Sequence, residues 1–121
     1  MSYVKCLKNK AYIHVAGEPA PDYDLISLTV GQVYKLAPPE ENDGDDWRVY
    51  DESGEDYLFP PDYFEPYEPN GDHEHASESV TAHLTPYMKN ILHAEAIAAD
   101  KSISALLRDL IAERFDLSEV A

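Results

Sequence analysis

The chemistry most legible in this chain is an alternating set of polar side chains at Ser79, Thr81 and His83. Hydroxyl and imidazole groups at every second residue place donors and acceptors together on one face of an extended segment. Such a face can hydrogen-bond to a partner. A histidine titrates at about pH 6.5 when unperturbed, so contacts through His83 would be pH-sensitive. A second group is acidic: Glu40, Glu41, Asp43, Asp45 and Asp46 crowd the loop before Trp47 and would select Arg or Lys on a partner. A third, His73-Glu74-His75 beside Asp72, has metal-ligating residue types. Two histidines one residue apart in a Pro/Gly segment lack the fixed geometry a metal needs, and no cysteine supports them. No metal or other cofactor is expected, and His14 and His93 have no evident partner. The sequence contains no nucleophile–base signature and no phosphate loop, so an enzyme is not expected.

Composition narrows the classes further. The chain has 121 residues, room for one domain or two very small ones. Its one cysteine, Cys6, excludes an internal disulfide. No apolar run approaches the ~18 residues of a membrane span, and MSYVKCLKNK lacks the apolar region of a signal peptide. A soluble, cytoplasmic protein with no membrane partner is the expectation. The net charge is −15, unevenly spread. Residues 1–70 carry five basic and fifteen acidic side chains, residues 71–80 add −3, and residues 81–121 hold four basic against six acidic. The first seventy residues should therefore repel nucleic acid and attract cationic partners, while the tail is close to neutral.

The elements that must position these groups fall into two kinds. Apolar and β-branched runs begin at Val4, at Ala11–Val15 (AYIHV), at Leu28–Leu36 (LTVGQVYKL), at Trp47–Asp51 (WRVYD) and at Glu55–Phe59 (EDYLF). Turn formers at Gly17–Asp22, Pro38–Asp46 and Glu52–Gly54 separate them. Five short strands without a helical period predict a small barrel or sandwich over residues 1–66. Residues 67–77 have the composition of a flexible acidic linker. After it, Val80, Ala82 and Leu84 alternate with Ser79, Thr81 and His83, the period of a strand with two faces. Thr85 and Pro86 read as the cap and first turn of a helix whose apolar stripe is Met88, Ile91, Leu92 and Ala99, interrupted by Glu95. Ser102 caps a second helix, with Ile103, Leu106, Leu107, Leu110, Ile111 and Phe115 on one face. A strand this short and two modest helices must find their missing core in a second copy.

The strand V-T-A-H-L-T-P and the later run K-S-I-S-A-L-L-R-D-L-I resemble the ribbon-helix-helix family of Arc, MetJ and CopG-type repressors, over about the last forty residues (78–118). In that family two strands pair across a dimer and enter the major groove as a ribbon. The resemblance implies Ser79, Thr81 and His83 as base-reading positions. It also implies that Ser102, Ile103 and Ser104, with Lys101 nearby, grip a phosphate at the start of the second helix. The chain departs from the pattern in two ways: the ribbon carries no Arg or Lys, and Asp100 stands where the helix–helix turn usually has Gly. Few basic residues near the phosphates imply modest affinity.

The stretch DDWRVYDESGEDYLFPPDYFEPY, preceded by LTVGQVYKL, resembles a Src-homology-3-like barrel. That family lines a groove for proline-rich peptides with a Trp, a Pro and a Tyr, here Trp47, Pro60 and Tyr63. Tyr23 would substitute for the missing first-strand aromatic motif. Together the two resemblances imply an α+β chain: an N-terminal barrel, a linker, and a dimeric ribbon-helix-helix unit. The implied function is a homodimeric regulator of transcription that binds double-stranded DNA, in an antitoxin-type variant with a basic protein or proline-rich peptide held by the acidic barrel. The competing expectation is an acidic interaction or DNA-mimic module that uses its tail only to dimerise.

Overall fold

The computed structural model describes residues 2–13, 16–19, 22–68 and 76–117. The chain divides into two compact units, Met1–Glu68 and Pro69–Ala121. It is a mixed α+β protein with two antiparallel sheets and two α-helices. Among the described residues, no helix is long and apolar enough to cross a membrane.

In the first unit, β1 (Tyr3–Cys6) buries Val4 and Cys6 and turns Tyr3 and Lys5 outward, the alternation that lets one strand face carry a core. Strand β2 (Val33–Lys35) pairs antiparallel with β1, Val4 opposite Tyr34. Strands β3 (Trp47–Tyr50) and β4 (Asp56–Phe59) form a hairpin in the register Trp47↔Phe59 and Val49↔Tyr57. After a single 3-10 turn at Pro61–Tyr63, β5 (Phe64–Pro66) returns to the other edge of β1, giving the order β2-β1-β5. The hairpin meets the three-stranded sheet through the bridge Leu36↔Val49 and the bond from Ala37 N–H to the Arg48 carbonyl, 2.8 Å.

The expected barrel therefore needs correction, because no closed barrel forms among the described residues. Of the strand expected at Ala11–Val15, residues 11–13 have no strand structure and His14 and Val15 lie outside the described residues. Its neighbourhood is tied by two short bonds instead, Ala11 N–H to the Tyr23 carbonyl (2.9 Å) and Leu25 N–H to the Asn9 carbonyl (2.6 Å). The Leu28–Leu36 run is a strand only at its end. Gly31, at φ +91, turns the chain so that its own N–H reaches the Cys6 carbonyl at 2.8 Å, a backbone conformation that side chains disfavour. Strand β5 was not expected from so proline-rich a segment. It is an edge strand, where Pro66 can sit without costing the sheet a hydrogen bond.

Val4, Cys6, Leu28, Tyr34, Val49, Phe59, Tyr63 and Phe64 form one core, with Tyr12, Leu25, Leu36 and Trp47 packed against it. Tilted aromatic pairs fill it: Tyr12 meets Tyr63 edge-on at 5.6 Å and Phe59 meets Phe64 edge-on at 5.7 Å, the geometry that ring quadrupoles favour. The Tyr34 hydroxyl accepts from Thr29 N–H (2.8 Å) and donates to Glu52 (2.6 Å), so a buried phenol staples two turns. Burial, then the Glu52 carboxylate, pushes this hydroxyl up and keeps it a donor.

The second unit has no comparable core. Residues 76–85 carry no secondary structure and are exposed throughout. The strand expected over Ser79–Leu84 is not formed in the single chain, which offers it no neighbour to ladder with. Helix α1 (Pro86–Ala98) starts as expected: Thr85 Oγ1 accepts from Met88 N–H, and Pro86 occupies the first turn. Helix α2 (Ile103–Arg114) is capped by Ser102 Oγ, which accepts from Ala105 N–H at 3.0 Å. Between them Asp100 takes φ 55, with its N–H on the Ile97 carbonyl (3.1 Å) and the Lys101 N–H on the Ala96 carbonyl (3.0 Å). That bond pair is the Schellman closure, in which Gly is the usual left-handed residue; Asp fills the position here. Ala96, 3% exposed, is the one buried residue of this unit among the described residues.

Candidate functional site

Three surfaces carry the polar and aromatic residues singled out in the sequence. The first is the C-terminal unit. Ser79, Thr81 and His83 lie in the exposed 76–85 segment, ahead of α1. Lys101, Ser102, Ile103 and Ser104 gather at the start of α2. Because Ser102 Oγ is occupied by Ala105, the donors left for an anion are the backbone N–H groups of Ile103 and Ser104. Lys101 Nζ, just ahead of α2, is held by Asp109 on that helix, which spends part of the charge a phosphate would need. Between the helices lies an open groove of about 500 Å³ lined by Met88, Ile91, Leu92, Leu106 and Leu110, with Glu95 on its border. Leu107, Ile111, Phe115 and Leu117 add further uncovered apolar surface, and Val80 is 94% exposed.

The second surface is the acidic loop, and two of its five carboxylates, Glu40 and the buried Asp43, are committed to Arg48. Arg48 is largely buried and clasped by three carboxylates: Asp43 through two bonds (2.6 and 3.1 Å), Glu40 at 2.8 Å and Asp56 at 3.0 Å. Asp43, only 8% exposed, also accepts from Glu40 N–H at 2.8 Å. The Arg48 guanidinium, followed by that N–H, holds the Asp43 carboxyl below its ordinary range, and the hydrogen bonds Arg48 donates to Asp43 and Asp56 push Arg48 up. Asp43 and Glu40 thus position the β3 entrance of the loop, whereas Glu41, Asp45 and Asp46 are exposed and form no ion pair among the described residues.

The third surface is a groove of about 390 Å³ in the first unit, bordered by Tyr12, Tyr23, Leu25, Tyr57 and Phe59 with Asp51 in its wall. Of the aromatic positions taken from the barrel resemblance, the structure brings Tyr23 to this groove and leaves Trp47, Pro60 and Tyr63 out of its lining. Trp47 is half-buried and stacks on Phe64 at 6.3 Å, rings 9° apart. Tyr63 is buried and donates to the Lys10 carbonyl at 2.5 Å. Pro60 is half-buried ahead of the 3-10 turn. Sequence reasoning missed Tyr57 and Asp51. Their signal was the alternation in E-D-Y-L-F, which turns Tyr57 outward, and Ser53 two residues after Asp51, an Asx-turn spacing.

Cys6 is a core residue: burial pushes its thiol up, which disfavours the thiolate, and the thiol donates to the Lys8 carbonyl at 3.1 Å. The Asp72–His75 cluster lies outside the described residues. No protein-family model matches the chain, and no curated protein or solved structure matches it.

Proposed function

We propose that the chain is a homodimeric DNA-binding regulator of the ribbon-helix-helix kind, with an acidic N-terminal unit that engages a cationic partner. One observation carries the reading. The α1–α2 unit closes its caps and its turn well but leaves its apolar side uncovered, and a fully exposed alternating segment leads into it. Hydrophobic surface of that extent is marginal in water, and a two-fold copy supplies both the missing core and the antiparallel neighbour for Ser79–Leu84. In that pairing Val80, Ala82 and Leu84 would turn toward the dimer core, leaving Ser79, Thr81 and His83 outward for base edges. The Ile103 and Ser104 N–H groups would then meet the backbone phosphates.

The test is an electrophoretic shift of the purified protein on its own upstream DNA, at low and moderate salt. Saturable, sequence-dependent binding is expected. The Thr81→Ala/His83→Ala pair should abolish it while the protein stays dimeric, because each lost base contact is worth about 1–3 kcal/mol of discrimination. With so few cations available the salt slope should be shallow, roughly −2 to −4 on the log–log plot. No shift at low salt from a dimeric protein would refute DNA binding. It would leave the second reading, an acidic interaction module dimerised by its tail, which the exposed Glu41, Asp45 and Asp46 favour.

A further inference from the structure

The groove of the first unit combines features that point to a specific ligand chemistry. Tyr12, Tyr23 and Tyr57 border it, and Phe59 closes its buried end. Aromatic faces carry negative potential and attract organic cations, more strongly where water is excluded. Set among them is Asp51, only 8% exposed. One of its carboxylate oxygens, Oδ1, is committed to Ser53, accepting from the N–H at 2.9 Å and from the hydroxyl. The other, Oδ2, takes no hydrogen bond among the described residues, yet it is not sealed away as a buried orphan. A carboxylate this buried with half its acceptor capacity open is costly unless a donor arrives.

The surroundings reinforce the sign. The Tyr57 hydroxyl donates to Glu55 at 2.7 Å, and the Tyr12 hydroxyl donates to the Leu58 carbonyl, so both phenols are already used as donors and their rings remain as the contact surfaces. The Glu55 hydrogen bond, with the nearby Asp51 and Asp56 carboxylates, pushes the Tyr57 hydroxyl up. Burial, then Asp46 and Asp51 among the charges, does the same to Tyr12. The N-terminal seventy residues as a whole carry a net −10, which draws in cations from a distance.

We propose that this groove takes the cationic side chain of an arginine- or lysine-bearing segment of a basic protein, its head donating to Asp51 Oδ2 and its aliphatic stem lying on Tyr12, Tyr23 and Tyr57. The proposal rests on the reading of the first unit as a partner-binding module and is independent of DNA binding. It moves that binding from Trp47, Pro60 and Tyr63 of the barrel resemblance to a set that keeps only Tyr23 of those positions. A single open oxygen suits one strong N–H donor rather than a two-pronged fork.

The full-length dimer would be titrated with a fluorescently labelled Gly/Ser peptide carrying two arginines, with its Arg→Gln counterpart, and with free arginine, all at one ionic strength. The arginine peptide should bind saturably and the glutamine peptide should not. Asp51→Asn keeps Oδ1 for Ser53 and should weaken binding roughly tenfold or more, as expected for loss of a charged hydrogen bond. Tyr57→Ala, on an exposed side chain, should weaken it about threefold. Both variants should keep the near-ultraviolet circular dichroism and melting profile of the parent. If Asp51→Asn binds like the parent while Glu41→Gln/Asp45→Asn/Asp46→Asn abolishes binding, the groove is refuted and partner binding belongs to the acidic loop. Arginine-dependent binding that is absent at low salt would overturn both the groove and the partner-binding reading. Free arginine binding as tightly as the peptide would overturn the commitment to a protein segment.

Discussion

Replacing Leu110 with Ala tests the step on which the functional reading depends, that α1 and α2 share their core with a second copy. Leu110 is 46% exposed in the single chain. Fully burying a leucine side chain is worth about 1.5–3 kcal/mol, so the part that a partner copy would cover contributes roughly 1 kcal/mol per protomer. A two-fold interface counts every substitution twice, giving about 2 kcal/mol for the dimer. At 1.4 kcal/mol per tenfold, the dimer dissociation constant should rise roughly thirtyfold. The covered half of Leu110 lines the groove with Met88, Ile91 and Leu106, so the unit itself should also lose stability. Sedimentation velocity over a dilution series separates the two effects, since association depends on concentration and folding within the unit does not. Arg108→Ala on the same helix serves as the control and should leave the association constant unchanged. The reasoning fails if the parent protein remains monomeric at high concentration. It fails equally if Leu110→Ala unfolds the unit without altering association.

The caps give a simpler expectation: Thr85→Ala and Ser102→Ala should each cost about 1 kcal/mol, read as a lower melting midpoint of the helical far-ultraviolet signal. In the first unit the Asp43 carboxyl titrates below its ordinary value of 3.8 because of Arg48. A depressed carboxylate adds stability that is present above the unfolded value and is lost as pH falls through the folded one. Asp43→Asn should therefore be less stable at neutral pH, and its stability should decline less than the parent's as pH is lowered from 4 toward 2, measured by denaturant titration. On α2, Asp109→Asn removes the partner of Lys101 and one negative charge near the phosphate path, so DNA affinity should rise a few-fold in the shift assay. Unchanged or weaker binding would place Lys101 away from the phosphates.

Local rules carried the helices, β1 and the β3–β4 hairpin, and failed at Ala11–Ile13, at Ser79–Leu84 and at β5, for reasons particular residues make plain. Thr85, Pro86 and Ser102 determine helix starts through contacts within three residues, so their roles were legible without knowing the rest of the fold. Asp100 was singled out only through the resemblance, as a departure from the usual Gly, and it takes the left-handed position all the same. Strand membership is settled by neighbours far along the chain. Ala11–Ile13 has the apolar and aromatic content of a strand, yet Ala11 N–H goes to the Tyr23 carbonyl in a short arm that Leu25 N–H closes on the Asn9 carbonyl. Phe64–Pro66 has poor strand content and is one, because β1 offers it an edge. The same limit hid the aromatic groove. Tyr12, Tyr23 and Tyr57 are far apart in sequence, and only the packing of the hairpin beside the 9–11 and 23–25 arm brings them to one place.

The two units answer opposite physical demands, and salt should set them against each other. The first unit closes its own core and internalises a cation, Arg48, yet still carries −10 of the −15 charge; the second closes almost no core, and its residues 81–121 are close to neutral. If the second unit binds DNA as proposed, it would gain from low salt, because each phosphate contact would release counterions. The acidic unit loses from low salt, because its repulsion of the duplex reaches farther as the Debye length grows from about 8 Å toward 30 Å. These dependences have opposite sign, so the measured salt slope understates the number of phosphate contacts. A cationic partner seated on the acidic unit would cancel the repulsive part without touching the DNA-facing residues. Partner binding would then tighten DNA binding most at low salt, and that coupling would act through charge alone.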